Sequence, residues 1–163
     1  MKHSKKEIYT ILEEKGYHYE AVDHLPVFTM EEMEREINRD LSDVAKNVFL
    51  RDAKKKHWYL VVMAKNKNLD MVKLRETLGS TRLSFAREDY LMERLGVSQG
   101  AVSPLAVLND TENIVEVIID EEITSKERIG IHPCDNTSTI WMRFEDLKTL
   151  IQEHGNSIQI IKL

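Results

Sequence analysis

The sequence is poor in the features that most quickly reveal a protein's class. Its one cysteine, Cys134, excludes an internal disulfide, and only three prolines interrupt its 163 residues. Apolar runs such as 114–119 are strand-sized and far too short to span a bilayer. The basic residues at the start are followed by no apolar run, so we expect no signal peptide and no membrane partner. The cytoplasm is the default compartment for such a chain.

Common catalytic signatures are also missing. The sequence contains no G-x-S-x-G elbow, no G-x-x-x-x-G-K phosphate loop and no H-E-x-x-H motif. His132 and Cys134 lie close together, which raises the question of a thiol–imidazole pair or a metal site. Zinc normally takes three or four protein ligands, so an incidental pair in a loop is favoured. We expect neither a metal nor a cofactor.

Charge is distributed unevenly along the chain. The formal net charge is −5, which argues against a general coat for nucleic acid and against DNA as a partner. Residues 46–94 nevertheless carry 12 basic and 6 acidic side chains, whereas the segments on either side are acidic. A basic middle of this kind can hold a polyanion locally, although ordinary charge scatter explains it equally well.

Periodicity and capping signals predict alternating helices and strands. An S-x-x-E capping box at Ser4 opens a first helix, and a second box at Thr29 opens a short one. Further helices are predicted at 70–78, 88–95 and 145–154. Strands are predicted at 17–23, 44–51, 57–64, 104–108, 114–119, 137–142 and 157–162. The pattern indicates one α/β or α+β domain over residues 1–163, built on a mixed sheet.

Three longer stretches occur in a recognisable order. They are residues 23–32 (DHLPVFTMEE), 44–52 (VAKNVFLRD) followed by 57–62 (HWYLVV), and 130–139 (GIHPCDNTST). Shorter runs at 82–86, 95–97 and 100–104 lie between them. Together they resemble the YbaK/prolyl-tRNA synthetase editing-domain family, and most closely its free-standing ProX/PrdX-type branch, which deacylates Ala-tRNA(Pro). The resemblance runs from about Tyr17 to the last helix.

The resemblance implies a barrel-like mixed sheet flanked by helices and hydrolysis of an aminoacyl ester at the tRNA 3′ end. It assigns catalysis to Lys46, in Ala-Lys-Asn-Val-Phe-Leu, and to Gly130 and His132 of the G-x-H-P loop. It assigns substrate binding to Asn47, Phe49, Pro133, Asn136 and Thr137. Val48 and the run Ser103-Pro104-Leu105 depart from the more familiar family pattern, which leaves amino-acid selectivity open.

The same residues allow plainer interpretations. Alternation places Lys46 on one face with Val44, Val48 and Leu50, which by itself favours a lysine at a strand edge over one in a pocket. Similarly, the Gly/Pro segment 130–136 is more often a structural turn than a binding loop. With the resemblance, both are interpreted as parts of a pocket. No general base stands out, so we expect the vicinal ribose hydroxyl of the substrate to assist water attack.

Two further groups concern the RNA itself. Lys54, Lys55 and Lys56 form a predicted hairpin loop that is either a tRNA-backbone contact or simply solvated. His57, Trp58 and Tyr59 suggest base stacking, but alternation favours core packing for at least one ring.

The resulting hypothesis is a trans-editing deacylase whose partner is mischarged tRNA(Pro), with prolyl-tRNA synthetase left open as a second partner. Ala-tRNA(Pro) is the expected substrate. Two alternatives remain: a Cys-tRNA(Pro) deacylase, and a non-catalytic module that binds tRNA or a synthetase.

Overall fold

The computed structural model describes residues 2–37 and 39–163. The α-helices are α1 (Lys5–Glu14), α2 (Met30–Glu36), α3 (Met71–Leu78), α4 (Glu88–Leu95), α5 (Glu121–Thr124) and α6 (Phe144–His154). The strands are β1 (Tyr19–Asp23), β2 (Ala45–Arg51), β3 (Trp58–Ala64), β4 (Ser84–Phe85), β5 (Val115–Asp120), β6 (Arg128–Ile131), β7 (Ser138–Arg143) and β8 (Ile158–Ile161). Two 3-10 helices cover Gln99–Ala101 and Pro104–Asn109.

Helix α1 begins as its capping signal predicts. The Ser4 hydroxyl accepts a hydrogen bond from the Glu7 amide, and the Glu7 carboxylate accepts one from the Ser4 amide. Ile8 and Leu12, one turn apart, are fully buried, so the helix packs its apolar stripe onto the core. Gly16 follows the helix with a φ of +73°, a conformation that glycine adopts without steric cost.

The strands form two sheets, and the mixed α/β class is confirmed. The larger sheet has the order β4-β2-β3-β5-β8, with β2 antiparallel to its neighbours and β3, β5 and β8 parallel. The smaller sheet, β1-β7-β6, is antiparallel. A parallel bridge between Val44 and Gly130 links them. Within the described residues the strands do not close into a barrel, so the expected barrel-like sheet is corrected to two sheets joined at one point.

Alternation along β2 separates two apolar clusters. Ala45 and Phe49 face the main core, which also holds Trp58. Leu50 and the partly buried Val48 face a second cluster under α3. This is the division that a period of two predicts, and it leaves Lys46 on the second face at the beginning of the strand.

The segment 104–109 differs from its predicted structure. It is a buried 3-10 helix with Pro104 in its first turn, and the Ser103 hydroxyl accepts a hydrogen bond from the Leu105 amide. The predicted strand at 104–108 is therefore wrong, and β5 pairs instead with β3 and β8, both in parallel. Strands β4 and β6 and helix α5 were not predicted.

In the described part of the chain, no helix is both long and apolar enough to cross a bilayer.

Candidate active site

A cavity of about 430 Å³ opens where the start of β2 meets the turn after β6. This volume lies in the range of small-molecule sites. None of its described lining residues is acidic. The lining is Val27, Phe28, Thr29, Met30, Ala45, Lys46, Asn47, Lys65, Gln99, Gly100, Val102 and His132.

Lys46 is one of two half-buried lysines that line this cavity, the other being Lys65. The Lys46 Nζ donates one long hydrogen bond, 3.4 Å, to the carbonyl oxygen of Lys67. Within the described residues no carboxylate lies at ion-pair distance from it. Lys65, by contrast, is paired with Glu34 at 3.3 Å. Lys46 therefore keeps most of its hydrogen-bonding capacity for a ligand.

The carbonyl that holds Lys46 is itself fixed by a buried carboxylate. Asp120 has no solvent exposure and accepts hydrogen bonds from the Lys67 ammonium, at 2.9 Å, and from the amides of Ala64 and Glu122. The hydrogen bond to Asp120 raises the pKa of Lys67. Asp120 thereby anchors the 64–67 turn, and sequence reasoning missed it because its role depends on distant partners.

His132 presents one ring nitrogen for chemistry. Its Nδ1 lies 2.8 Å from the carbonyl oxygen of Ser138, which can only accept, so Nδ1 carries the proton in the neutral ring. Burial lowers the pKa of His132 below the usual value, which favours this neutral form. Nε2 is then a hydrogen-bond acceptor on a residue that lines the cavity.

The Asn47 side chain has an unpaired hydrogen-bond acceptor at the same site. Its Oδ1 is buried and has no hydrogen-bond partner within the described residues. An unpaired buried polar atom costs about 1–3 kcal/mol, so it commonly marks a place where a ligand or water binds. The residue lines the cavity beside Lys46.

Two glycines have different relations to the cavity. Gly100 lines it, and a Cβ there would come within 2.8 Å of Phe28 and Asn136 side-chain atoms. Gly130 lies behind the lining, where a Cβ would meet Trp141 Nε1 and Val44 Cγ2 at 2.8 Å each. Gly130 was predicted to act in catalysis; it is not among the described residues that line the cavity, and its predicted role stays a prediction.

The other predicted substrate-binding residues occupy several positions. Asn136 is close to the cavity, since it exchanges two hydrogen bonds with the backbone of Val27. Phe49 lines a neighbouring cavity and stacks on Trp58 with ring centroids 5.7 Å apart. Pro133 is buried in the turn, and the Thr137 hydroxyl bonds Asp135 and Lys5. Neither Pro133 nor Thr137 lines the cavity within the described residues.

The side chains between His132 and Thr137 are poor bases or nucleophiles. Burial raises the pKa of the Cys134 thiol to about 12, so it stays protonated at neutral pH. Burial would also raise the pKa of Asp135, but hydrogen bonds from Thr137 outweigh it and lower that pKa. Across residues 2–37 and 39–163, no group of three or more His, Cys, Asp or Glu is arranged to hold a metal.

The predicted tRNA-binding lysines lie at the other end of β2. Lys54, Lys55 and Lys56 are exposed in the β2–β3 loop. At 3.3 Å per residue, the part of β2 between Lys46 and the end of the strand is about 17 Å long, and the loop lies beyond that end. Lys55 Nζ lies 5.1 Å from the Tyr90 ring centroid. Trp58 and Tyr59 are buried, so the core interpretation of these rings is confirmed.

Several lining residues were not assigned from the sequence. Phe28 and Gly100 lie inside stretches that carry the family resemblance, which was the available signal. Lys65 and Gln99 lie outside those stretches, and only the folding of distant segments brings them to the cavity.

Comparison with known proteins identifies the family and the fold. The family model for the aminoacyl-tRNA editing domain matches residues 24–150. Prolyl-tRNA editing protein ProX of Acetoanaerobium sticklandii is 39% identical over 98% of both chains. Prolyl-tRNA synthetase associated domain-containing protein 1 of Danio rerio is 34% identical over 91% of this chain and 82% of its own. A crystal structure of a candidate trans-editing enzyme for prolyl-tRNA synthetase superposes with a TM-score of 0.73 at 19% identity, covering 100% of this chain and 99% of the other.

Proposed function

Because the chain belongs to the aminoacyl-tRNA editing domain family, we propose that it removes alanine from mischarged Ala-tRNA(Pro). The prolyl-tRNA editing relative supports trans-editing of mischarged tRNA(Pro), and with it hydrolase activity on aminoacyl esters. The observation that carries the proposal is one cavity that holds the Lys46 ammonium and the neutral His132 ring and has no acidic residue in its described lining. Such a cavity suits the terminal adenosine and its ester.

Lys46 is proposed to stabilise the charge that forms on the ester carbonyl oxygen. When water adds to the carbonyl carbon, this oxygen becomes an oxyanion, and a positioned ammonium lowers the energy of that state. The single long bond to the Lys67 carbonyl leaves Nζ free to turn toward it. A lysine already neutralised by a carboxylate, as Lys65 is, suits this task less well.

The attacking water is proposed to be held by the substrate and by His132. The vicinal ribose hydroxyl positions the water, and His132 Nε2 accepts a hydrogen bond from that hydroxyl or from the water. The bond between the carbonyl carbon and the ribose oxygen then breaks, and the ribose oxygen takes up the proton that the attacking water loses. The products are alanine and tRNA with a free 3′ end. No strong protein base is required, because an aminoacyl ester is already activated.

Asn47 is proposed to recognise the α-amino group. The buried, unpaired Oδ1 accepts a hydrogen bond from the substrate ammonium, which satisfies both groups. Proline carries a secondary amine with one hydrogen fewer and a ring that fixes its geometry. The turn backed by Gly130 adds a stiff wall, so a larger side chain meets a steric clash.

Single-turnover deacylation of Ala-, Cys- and Pro-tRNA(Pro), prepared on one tRNA, tests the proposal. We expect rapid release of alanine, release of cysteine about 10- to 200-fold slower and no release of proline, because cysteine is larger by only one sulfur atom. Rapid loss of proline contradicts editing, since the enzyme then destroys the correct product. Faster release of cysteine identifies the Cys-tRNA(Pro) branch, and tRNA binding without hydrolysis identifies a binding module.

A further inference from the structure

A second cavity of about 380 Å³ adjoins the first and has no role in the mechanism above. The two share Phe28, Asn47, Gln99 and Val102 in their linings. The second continues along the edge of β2 to β4 and the start of α4. A ligand anchored in the first cavity can therefore extend directly into the second.

Two exposed phenyl rings border this continuous space. Phe28 is 65% exposed and lies between the cavities, and Phe85 is 62% exposed and lines only the second. Covering apolar side chains with this much exposure is favourable, so two such rings beside one groove offer binding area to a ligand. Flat rings that flank a groove are typical of proteins that stack the bases of single-stranded nucleic acid.

The charges around the second cavity are mixed. Arg87 lines it, and Arg87 and Lys55 both lie over the Tyr90 ring, at 5.4 and 5.1 Å from its centroid. Glu88 also lines it, and Asp89 pairs with Arg87 at 3.2 Å. That pair is exposed and contributes little. Stacking, rather than a dense array of cations, is therefore the main source of affinity here.

From this geometry we propose that the second cavity binds the cytidine that precedes the terminal adenosine of tRNA, with Phe85 as the ring on which its base stacks. Arg87 contacts the adjoining phosphate. The inference rests on the proposed function, because it requires the terminal adenosine in the first cavity. In this arrangement the 3′ strand of the tRNA runs along β2 from the second cavity toward Lys55 and the hairpin loop.

The test compares the alanyl ester of adenosine with an alanylated CCA trinucleotide. The wild-type enzyme is expected to hydrolyse both, with a higher kcat/KM for the trinucleotide. Phe85→Ala should lower kcat/KM for the trinucleotide by about 5- to 150-fold, the effect of one base–aromatic stack, and leave the adenosine ester unchanged. Phe85→Tyr should restore the trinucleotide rate, since its ring also stacks. Val72→Ala, at another exposed apolar residue, is the matched control and should behave as wild type.

The possible results separate this inference from the proposed function. If the wild-type enzyme hydrolyses neither substrate, the proposed function itself fails. Equal losses on both substrates place Phe85 in the first cavity or in the fold and overturn the second site. An unchanged trinucleotide rate also overturns it, as does a loss that occurs only when prolyl-tRNA synthetase is present, which assigns the groove to a protein. Replacing the cytidine with an abasic residue should reduce the wild-type rate but not lower that of Phe85→Ala further.

Discussion

Strand β2 has one lysine near its beginning and three just beyond its end, and the surroundings of the two ends differ. Lys46, near its beginning, is half-buried in a cavity and has one long hydrogen bond. Lys54, Lys55 and Lys56, beyond its end, are exposed in a loop. An ammonium in an enclosed site acts on one defined atom, whereas exposed ammonium groups attract a polyanion from any direction and are screened by salt. From this difference we propose that chemistry takes place at one end of the strand and that tRNA is bound at the other.

The largest expected effect is at the enclosed end. Lys46→Ala should lower the single-turnover rate on Ala-tRNA(Pro) by about 100- to 1,000-fold, the usual cost of removing one group that stabilises an oxyanion. The free energy of unfolding should change by no more than about 0.5 kcal/mol, because the side chain makes few contacts. Lys73→Ala, at an exposed lysine of α3, is the control and should keep full activity. Full activity in Lys46→Ala removes this lysine from the mechanism.

Substitutions at Gly130 and Gly100 test how rigid the walls of the first cavity are. Gly130→Ala should lower the free energy of unfolding by about 1–3 kcal/mol, because the new methyl group meets Trp141 and Val44, both nearly inaccessible to solvent. Gly100→Ala should cost less, since the side chains that the new methyl group meets, Phe28 and Asn136, are more exposed than Trp141 and Val44. Urea unfolding of both variants measures the difference. Equal losses contradict the idea that the Gly130 side of the cavity is the rigid one.

These glycines also show where sequence reasoning stops. The order of motifs was enough to select Lys46 and His132, and both line one cavity. The alternation of residues along β2 correctly placed Ala45 and Phe49 on one face of the strand and Leu50 on the other. Sequence alone did not reveal that Gly130 packs on Trp141, because that contact depends on the β6–β7 pairing. The apolar run 104–108 resembled a strand because a short apolar run in a core has no distinctive period.

The His132 ring should make both deacylation and stability depend on pH. Its pKa is lowered by burial, so the neutral ring persists as the pH falls through 6.5. Deacylation should therefore decline only at a pH below 6.5, and His132→Asn should abolish that decline at the cost of rate. Stability should follow the same sign: the unfolded state binds the proton more readily, so the His132 contribution is present above pH 6.5 and is lost as the pH falls toward the lowered pKa. A decline centred above 6.5 contradicts the assignment.

The smallest effect is expected at the exposed end, where the change is in binding and not in chemistry. Replacing Lys54, Lys55 and Lys56 with Gln should weaken tRNA binding while leaving the rate at saturating enzyme unchanged, because none of these lysines lines the cavity. For every lysine–phosphate interaction that the substitutions remove, the slope of log Kd against log salt should fall by about 0.7–0.9. Lys55→Gln alone should account for most of that change if the 3′ strand passes Tyr90, since only Lys55 lies over that ring among the three. Equal contributions from all three favour a diffuse attraction to the acceptor stem. An unchanged slope means that the loop is solvated and that tRNA is held only at the cavity end of β2.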